Sequence, residues 1–261
     1  MCTLIIGLDV VEPGSVALAA NRDEDPARPS AGPALLLDAP PVVGGRDLRS
    51  GGTWLALRAR RAAVAILNRR PRADDAPPAG APRSRGLLAL AVAAAPPVAD
   101  AAADAALRAL GAHPHAPCTV VWASPDGGWA LAHEPPAAPV LRPLAPGWHV
   151  VTHADLDDRA EPRTAMLLDD LAGWAPRTPD ALEAGLWARL RLHGDGAARP
   201  PVCIHDGPMP TVSASVVWLA RGGARYLHVQ GRPCEGAPAD HSHLLADEPP
   251  APDGGAHGGS R

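Results

Sequence analysis

The sequence lacks Lys and Phe altogether and retains one Tyr, one Gln and two Asn among its 261 residues. It contains 32 Pro and a large surplus of Ala. Such a composition indicates a general drift toward Ala, Arg, Gly and Pro, and does not reflect a requirement of the fold. Where a residue type is nearly absent from a chain, its few remaining copies are more often there for a reason. The two surviving Asn, Asn21 and Asn68, are therefore early candidates for function.

Signals of several protein classes are also missing. The net charge of −4 is small and evenly distributed, which gives no electrostatic reason to expect a nucleic-acid partner. The N-terminal apolar run has no basic segment before it and is interrupted at Asp9. It predicts neither a secretory signal nor a membrane span, which needs about 20 apolar residues. We expect a soluble, cytoplasmic protein.

The four cysteines, Cys2, Cys118, Cys203 and Cys234, lie far apart and form no Cys-x-x-Cys pair. This spacing argues against a disulfide framework and against a structural zinc site. The segment Cys203-x-His205-Asp206 could ligate a metal or form a second thiol site, but no partner pair occurs in the sequence. A cysteine at a strand end is the simpler interpretation, and we expect no metal.

Apolar runs and turn residues predict blocks of strands separated by blocks of helices. Segregated blocks of this kind favour an α+β layered sandwich over an alternating βαβ fold. The polar segment 21–30 leads into an expected Pro-rich loop. Residues 1–234 are expected to form one domain, and the Pro-, Gly- and His-rich segment 235–261 is expected to be disordered. The predicted strands are 3–8, 15–20, 53–57, 62–67, 118–123, 129–133, 148–152, 202–205, 212–220 and 224–230, and the predicted helices are 87–95, 98–110, 162–171 and 179–192.

Cys2 would become the first residue if the initiator Met were removed, and it would then carry both a thiol and a free α-amino group. An α-amino group has a pKa of about 7.7–8.0, so a useful fraction of it is unprotonated near neutrality. That amine can act as the base for its own thiol, as it does in N-terminal nucleophiles. The alternative is that position 2 only begins a strand, where a free Cys is a small buried hydrophobe.

Two further motifs lie at the ends of predicted strands. Asn21-Arg22-Asp23-Glu24 combines an amide, a guanidinium and two carboxylates, and a cationic Arg22 held by Asp23 or Glu24 could lower the pKa of a neighbouring thiol. A solvated charged turn is the alternative. Asn68 ends an apolar strand that follows Gly51-Gly52-Thr53-Trp54-Leu55, and its amide could donate a hydrogen bond to a developing oxyanion. A turn Asn that caps the strand is the alternative there.

Together these features resemble the NRDE family, whose eukaryotic members are called transport and Golgi organisation proteins. The resemblance extends roughly from Cys2 to Gln230 and is densest in the N-terminal third of the chain. It rests on these segments, in order: Met-Cys-Thr-Leu-Ile-Ile at the start, Ala19-Ala20-Asn21-Arg22-Asp23-Glu24, Arg28-Pro29-Ser30, Gly51-Gly52-Thr53-Trp54-Leu55, Leu67-Asn68 and Ser84-Arg85-Gly86.

The resemblance implies an N-terminal-nucleophile (Ntn) hydrolase-like fold. This is a four-layer αββα sandwich, distantly similar to bile-salt hydrolases and penicillin V acylases. By that resemblance Cys2 would be both nucleophile and base, Arg22 and Asp23 the supporting pair, and Asn68 an oxyanion donor. The residues that we expect to contact the substrate are Asn21, Glu24, Trp54 and His153.

Two positions depart from the family pattern. Thr152-His153-Ala154 stands where relatives commonly have Ser-Asn-Ala, so His153 occupies the place of a second Asn. Thr211-Val212-Ser213 stands where relatives often carry an Arg within a Gly-Thr-Arg-Ser/Thr stretch. The arginine expected by analogy with the acylases is therefore absent from that place in the sequence.

Two functions follow from these patterns. The first is an Ntn-type amidohydrolase or thioesterase that uses processed Cys2 to cleave a small acyl amide or thioester, with no cofactor. The second is a non-enzymatic carrier that binds haem, or a lipid or acyl-CoA, in the same pocket, since family members have been linked to haem trafficking and lipid homeostasis. Both hypotheses predict a small acyl or haem-like ligand, and the chain has no Cys-x-x-Cys-His haem attachment motif.

Overall fold

Two antiparallel β-sheets form the middle of the molecule. A computed structural model describes residues 2–70, 82–195 and 199–245 of the chain. The strands of the first sheet are, in spatial order, β10 (Gly147–Val151), β1 (Thr3–Leu8), β2 (Ser15–Asp23), β11 (Thr211–Ala220), β12 (Gly223–Gln230) and β13 (Ala239–Asp240). The strands of the second sheet are β3 (Ser30–Asp38), β4 (Pro41–Asp47), β5 (Leu55–Arg58), β6 (Ala62–Asn68), β7 (Cys118–Ser124), β8 (Gly127–His133) and β9 (Val140–Pro143).

Helices cover the outer face of each sheet. Helices α1 (Arg85–Ala94) and α2 (Ala99–Ala112) pack on the second sheet, and α3 (Pro162–Leu171) and α4 (Pro179–Leu190) pack on the first. Each helix pair encloses an apolar core with its sheet, and a third apolar core lies between the two sheets. The order of layers is therefore helices, sheet, sheet, helices, and the predicted α+β, αββα sandwich is confirmed.

The sequence of β1 shows why its apolar run is continuous. Leu4 and Ile6 belong to the core between the sheets, whereas Ile5 belongs to the core under α3 and α4. Successive side chains of a strand point to opposite faces. Because both faces of this sheet are covered, neither face needs polar residues, and the alternating pattern of a half-exposed strand disappears.

Polar side chains cap the N-termini of α3 and α4, and each helix has Pro at its first position. Glu161 accepts a hydrogen bond from the backbone N–H of Thr164 at 2.7 Å, and Thr178 accepts one from Ala181 at 3.2 Å. These caps satisfy N–H groups that have no partner inside the helix. The caps therefore start both helices where the sequence predicts them.

The structure differs from the sequence prediction in the first half of the chain. Strand β2 continues to Asp23, and the expected Pro-rich loop is the hairpin of β3 and β4. Pro33 is tolerated because β3 is an edge strand, and Pro41 is tolerated as the first residue of β4. Strand β9, another exposed edge strand, was not predicted either.

The prediction of a strand over 202–205 is wrong, because this segment forms bends whose backbone N–H groups at Val202 and Cys203 both bond to Leu192 O. The disorder predicted from residue 235 is also wrong for 235–245. There β13 pairs with β12, a 3₁₀ turn spans Ser242–Leu244, and Leu245 is buried. Residues 246–261 of the predicted tail lie outside the described residues. The extent of a single domain stays a prediction.

Candidate active site

A cleft of about 370 Å³ opens where the start of β1, the end of β2 and the end of β6 approach one another. Thr3 pairs with Asn21 in the antiparallel register, which places residue 2 beside residues 22 and 23. The second sheet contributes its own strand end to the opposite wall. Five of the predicted site residues line this cleft: Cys2, Arg22, Glu24, Trp54 and Asn68.

The partly buried Cys2 contacts the core between the two sheets and also faces the cleft. Its Sγ lies 4.0 Å from the carbonyl oxygen of Asp23. Burial raises the pKa of the Cys2 thiol, and the nearby Asp23 carboxylate raises it further. The thiol is therefore protonated near neutral pH, and it needs a base before it can act as a nucleophile.

Arg22 is a buried cation beside this thiol, with only 5% of its surface exposed. Its guanidinium lies 4.4 Å from the centroid of the Trp54 ring, over the ring face, and 3.5 Å from a carboxylate oxygen of Glu24. Arg28 approaches the same carboxylate at 3.7 Å. Burial lowers the pKa of Arg22, and the Glu24 carboxylate opposes this effect. Glu24 and Trp54 therefore hold Arg22 in place.

Asp23 points to the other face of the sheet, as the two-residue period of a strand requires. Its Oδ1 accepts a hydrogen bond from Thr211 Oγ1 at 2.7 Å, and its Oδ2 lies 3.8 Å from Arg163 Nη1. Arg163 also donates to Thr3 Oγ1 at 3.0 Å. Burial raises the pKa of Asp23 to about 6, while Thr211 and Arg163 act in the opposite direction.

No pattern in the sequence predicts Arg163 or Thr211 as supports of Asp23. Arg163 lies in α3, and Thr211 begins β11, so both are distant from Asp23 in the chain. The only sequence feature that draws attention to Thr211 is that its segment stands where relatives often carry an Arg. A guanidinium does reach this region, but it comes from helix α3.

Asn21 has a structural position instead of the predicted substrate contact. Its side chain is buried, and its Nδ2 donates to Leu190 O and to Val202 O, at 2.9 Å each. Leu190 is the last residue of α4, and Val202 belongs to the connection between α4 and β11. Asn21 therefore joins the end of β2 to both segments, and it does not line the cleft.

His153 follows β10 and does not line the cleft either. Its backbone oxygen accepts a hydrogen bond from Arg70 N at 3.0 Å. Burial lowers the pKa of the His153 ring, and the positive charge of Arg70 lowers it further. The ring is therefore neutral near pH 7, and its place in the fold gives no support to a direct substrate contact.

Asn68 is the exposed last residue of β6, a strand that is otherwise buried, and its side chain lies at the wall of the cleft. Its register partner in β7 is Cys118. The strand fixes the backbone of Asn68, while the exposure leaves its side chain accessible to a bound molecule. This arrangement is compatible with the predicted oxyanion donor, a role that stays a prediction.

A close approach of two glycines shapes the neighbouring rim. A Cβ atom on Gly52 would lie 2.4 Å from the carbonyl carbon of Gly86, far inside van der Waals contact. Thr53 N donates to Gly86 O at 3.2 Å, so the β4–β5 loop lies directly against the start of α1. Gly52 and Gly86 belong to two of the segments that carry the family resemblance. Because neither has a side chain, the two backbones can touch at the rim of the cleft.

The described lining of the cleft is cationic. Its four arginines are Arg22, Arg28, Arg83 and Arg85, and its two carboxylates are Glu24 and Asp47. Arg28 pairs with Asp47, as Arg22 does with Glu24. Four positive charges against two negative charges leave an excess of two, so the cleft attracts anionic groups.

The comparison with protein families agrees with this geometry. The family model described as Transport and Golgi organisation 2 matches residues 1–109, which include every predicted site residue except His153. The predicted resemblance to the NRDE family, a synonym of this one, is confirmed. No curated protein matches the sequence.

Solved structures of similar fold include an acid amidase ortholog and an acylase. An N-acylethanolamine-hydrolyzing acid amidase ortholog from Caenorhabditis elegans has a TM-score of 0.54 at 14% identity, over 82% of this chain and 92% of its own. Penicillin V acylase from Agrobacterium tumefaciens has a TM-score of 0.52 at 12% identity, over 88% of this chain and 83% of its own. These similarities confirm the Ntn-hydrolase-like fold.

Within residues 2–70, 82–195 and 199–245, no helix is both long and apolar enough to cross a membrane. The cytoplasmic location stays a prediction.

Proposed function

We propose that this chain, with its Transport and Golgi organisation 2 segment over residues 1–109, is an Ntn-type hydrolase that cleaves a small acyl amide or thioester. The observation that carries the proposal is the meeting of the Cys2 thiol, the Arg22 guanidinium and the Asn68 amide in one cleft. These groups match a nucleophile, a cation beside it and an oxyanion donor.

Hydrolysis of the Met1–Cys2 peptide bond precedes the first turnover and gives Cys2 a free α-amine. This amine accepts the thiol proton, and the thiolate sulfur attacks the carbonyl carbon of the substrate. The carbonyl oxygen becomes an oxyanion, and the α-ammonium then gives its proton to the leaving nitrogen or sulfur as the carbonyl carbon releases it. Water then gives a proton to the same amine and attacks the thioester carbonyl carbon. The carbon–sulfur bond breaks, the acyl group leaves as a carboxylic acid, and the α-ammonium returns its proton to the Cys2 thiolate.

The surrounding residues support these steps. Asp23 lies at the sheet end next to Cys2, where its carboxylate can hold the α-ammonium, and Thr211 and Arg163 fix that carboxylate. Arg22 stabilises the thiolate by its positive charge, which opposes the effect of burial on the pKa of Cys2. Asn68 donates a hydrogen bond to the oxyanion.

The charge of the cleft indicates the kind of acyl compound that it accepts. The excess of arginine over carboxylate favours a substrate that carries a carboxylate or phosphate on its acyl or leaving group. A neutral substrate of the same size would leave Arg83 and Arg85 without this partner.

The test compares wild type, Cys2→Ala, Cys2→Ser and Cys118→Ala on a panel of anionic and neutral amides, esters and thioesters. Cys118 is a buried thiol that does not line the cleft, so its variant controls for the loss of a thiol. We expect Cys2→Ala to abolish turnover and Cys118→Ala to retain it. Equal turnover by Cys2→Ala and wild type would contradict the proposal.

The same arginines favour a second candidate, a carrier of haem or acyl-CoA. Haem propionates and acyl-CoA phosphates are anionic, and Cys2 offers a sulfur that could ligate haem iron on loss of its proton. Titration with haem, followed by its absorbance, should then show a saturable change that Cys2→Ala weakens. If no panel substrate is turned over and neither haem nor acyl-CoA binds saturably, both candidates fail.

A further inference from the structure

A second group of reactive side chains lies outside the cleft. His193 follows α4, Cys203 and His205 lie in the connection between α4 and β11, and Cys234 follows β12. One possible ligand atom from each residue falls within 4.8 Å of those of the other three. Four possible ligands from three separate segments of the chain thus lie close together.

The distances within this group suit one metal ion. The sulfurs of Cys203 and Cys234 are 3.5 Å apart, and His205 Nε2 lies 3.1 Å from the sulfur of Cys234. Around a tetrahedral Zn²⁺, bond lengths of about 2.3 Å to sulfur and about 2.0 Å to nitrogen require sulfurs about 3.8 Å apart and sulfur–nitrogen distances of about 3.5 Å. Shifts of a few tenths of an ångström would bring these two pairs to such distances, and the remaining pairs, which lie within 4.8 Å, would close by at most about 1.5 Å.

We propose that His193, Cys203, His205 and Cys234 bind one Zn²⁺ in a tetrahedral Cys₂His₂ site. Mixed thiolate and imidazole ligands favour zinc over the hard cations Mg²⁺ and Ca²⁺, which prefer oxygen. All four coordination positions are filled by protein, so the site is structural, with no position left for a reacting water. His193 is exposed, which gives the ion an entry path.

The backbone around the ligands is held in place by contacts that do not involve a metal. Val202 N and Cys203 N both donate to Leu192 O at 2.8 Å, which brings Cys203 next to His193. On the other side, Arg191 Nε donates to Pro233 O at 2.9 Å, beside Cys234. The ligands are therefore brought together before an ion binds.

A carboxylate also lies near the outer nitrogen of His205, although beyond hydrogen-bond distance. Its Nε2 faces Cys234, while its Nδ1 lies 3.9 Å from a carboxylate oxygen of Glu235. A carboxylate on the far side of a ligating imidazole orients the ring and increases its basicity. Arg232 in turn contacts this carboxylate at 2.9 Å.

The zinc site connects directly to the candidate active site. Ile204, between two of the ligands, accepts a hydrogen bond from Thr211 N at 2.8 Å and donates one to Thr211 Oγ1 at 2.9 Å. The same hydroxyl donates to Asp23. Zinc would therefore fix the segment that positions Asp23, although the metal site itself does not depend on the reaction proposed for Cys2.

The sequence predicts no metal site because only Cys203 and His205 are close along the chain. The other two ligands lie at positions 193 and 234, and their approach depends on the packing of α4 and of the segment after β12. Local spacing rules for zinc sites do not detect such an arrangement.

The experiment measures metal in the full chain, purified under reducing conditions and without chelator. We expect about one zinc per chain. Replacement of zinc by Co²⁺ should give the visible absorption of tetrahedral cobalt together with a thiolate-to-cobalt charge-transfer band. The variant His193→Asn alters an exposed ligand and should fold normally, while zinc affinity should fall at least about tenfold.

Cys234→Ser should also remove the charge-transfer contribution of one thiolate. Two variants outside the cluster serve as controls, Cys2→Ser for the loss of a thiol and His113→Asn for the loss of an exposed imidazole, and both should bind zinc as wild type does. The proposal is overturned by a chain that holds no zinc when saturated, by octahedral cobalt spectra, or by zinc binding that His193→Asn and Cys234→Ser leave unchanged. A Cys203–Cys234 disulfide in the reduced preparation, seen by intact mass, would overturn it equally.

Discussion

Arg163 Nη1 lies 3.8 Å from Asp23 Oδ2, so helix α3 supplies a positive charge to a buried carboxylate at the end of strand β2. The opposite oxygen of Asp23 accepts a hydrogen bond from Thr211. A buried carboxylate is costly to ionise unless it has such partners. These contacts keep Asp23 fixed beside Cys2, where the proposed mechanism needs a negative charge for the α-ammonium.

The Asp23→Asn variant should change how stability depends on pH. The pKa of Asp23 is raised to about 6 in the folded chain, from an ordinary value of about 4 in the unfolded chain. Below the lower value both states are protonated. As the pH rises through this window, the unfolded chain releases the proton first, so the wild type loses stability relative to the variant.

The expected loss is on the order of 2 kcal/mol between pH 4 and pH 7. Urea denaturation of the wild type and of Asp23→Asn at several pH values measures this loss. The difference between the two proteins isolates Asp23, because their other titratable groups are the same. A constant difference in the free energy of unfolding across this range would show that Asp23 does not titrate there.

Asn21→Ala should destabilise the fold without a specific effect on substrate affinity. The substitution leaves Leu190 O and Val202 O without their buried donor, at a cost of roughly 2 kcal/mol. Thermal unfolding measures this loss, and KM of the folded protein should stay near the wild-type value. A rise in KM with unchanged stability would instead support the predicted contact of Asn21 with the substrate.

Gly52→Ala should lower the free energy of unfolding by about 1–3 kcal/mol, because the new Cβ would collide with the backbone of Gly86. Gly111→Ala is the matched control, since a Cβ there meets no atom within 4 Å and alanine favours the helix. Chemical denaturation of the two variants compares them. Equal stabilities would mean that the two backbones separate at little cost.

Asn68→Ala should reduce kcat by about 10²–10³ and leave KM nearly unchanged, as expected for a donor that acts on the oxyanion. Because Asn68 is exposed, stability should change by less than about 0.5 kcal/mol. Ser50→Ala removes another polar group from the same cleft and should retain most of the activity. Parallel losses in both variants would point to a general disturbance of the cleft.

The cleft residues that could be predicted from the sequence are those that lie at strand ends. Cys2, Arg22 and Asn68 each lie at the end of an apolar strand, and strand pairing brings such ends together. The layered fold followed from the order of strand and helix blocks. Asn21 and Asn68 were singled out by their rarity, and the structure gives them different positions, one buried under α4 and one at the cleft.

The parts that the sequence did not predict depend on contacts between distant segments. Thr211 is 188 residues from Asp23, and Arg163 is 160 residues from its partner Thr3. The approach of His193 and Cys234 in the proposed zinc site is a contact of the same kind. Hydrophobic periodicity specifies which face of an element is buried, but it does not specify which side chains of two distant elements meet there.

Intact-mass measurement of the purified protein tests the central claim most directly, because the proposed mechanism requires Cys2 to carry a free α-amine. The account predicts a mass lower than that of the full sequence by one methionine residue, with a thioester-linked acyl group appearing on Cys2 after brief incubation with a substrate. A chain that retains Met1, in a preparation that nevertheless turns over substrate, would contradict the N-terminal-nucleophile mechanism.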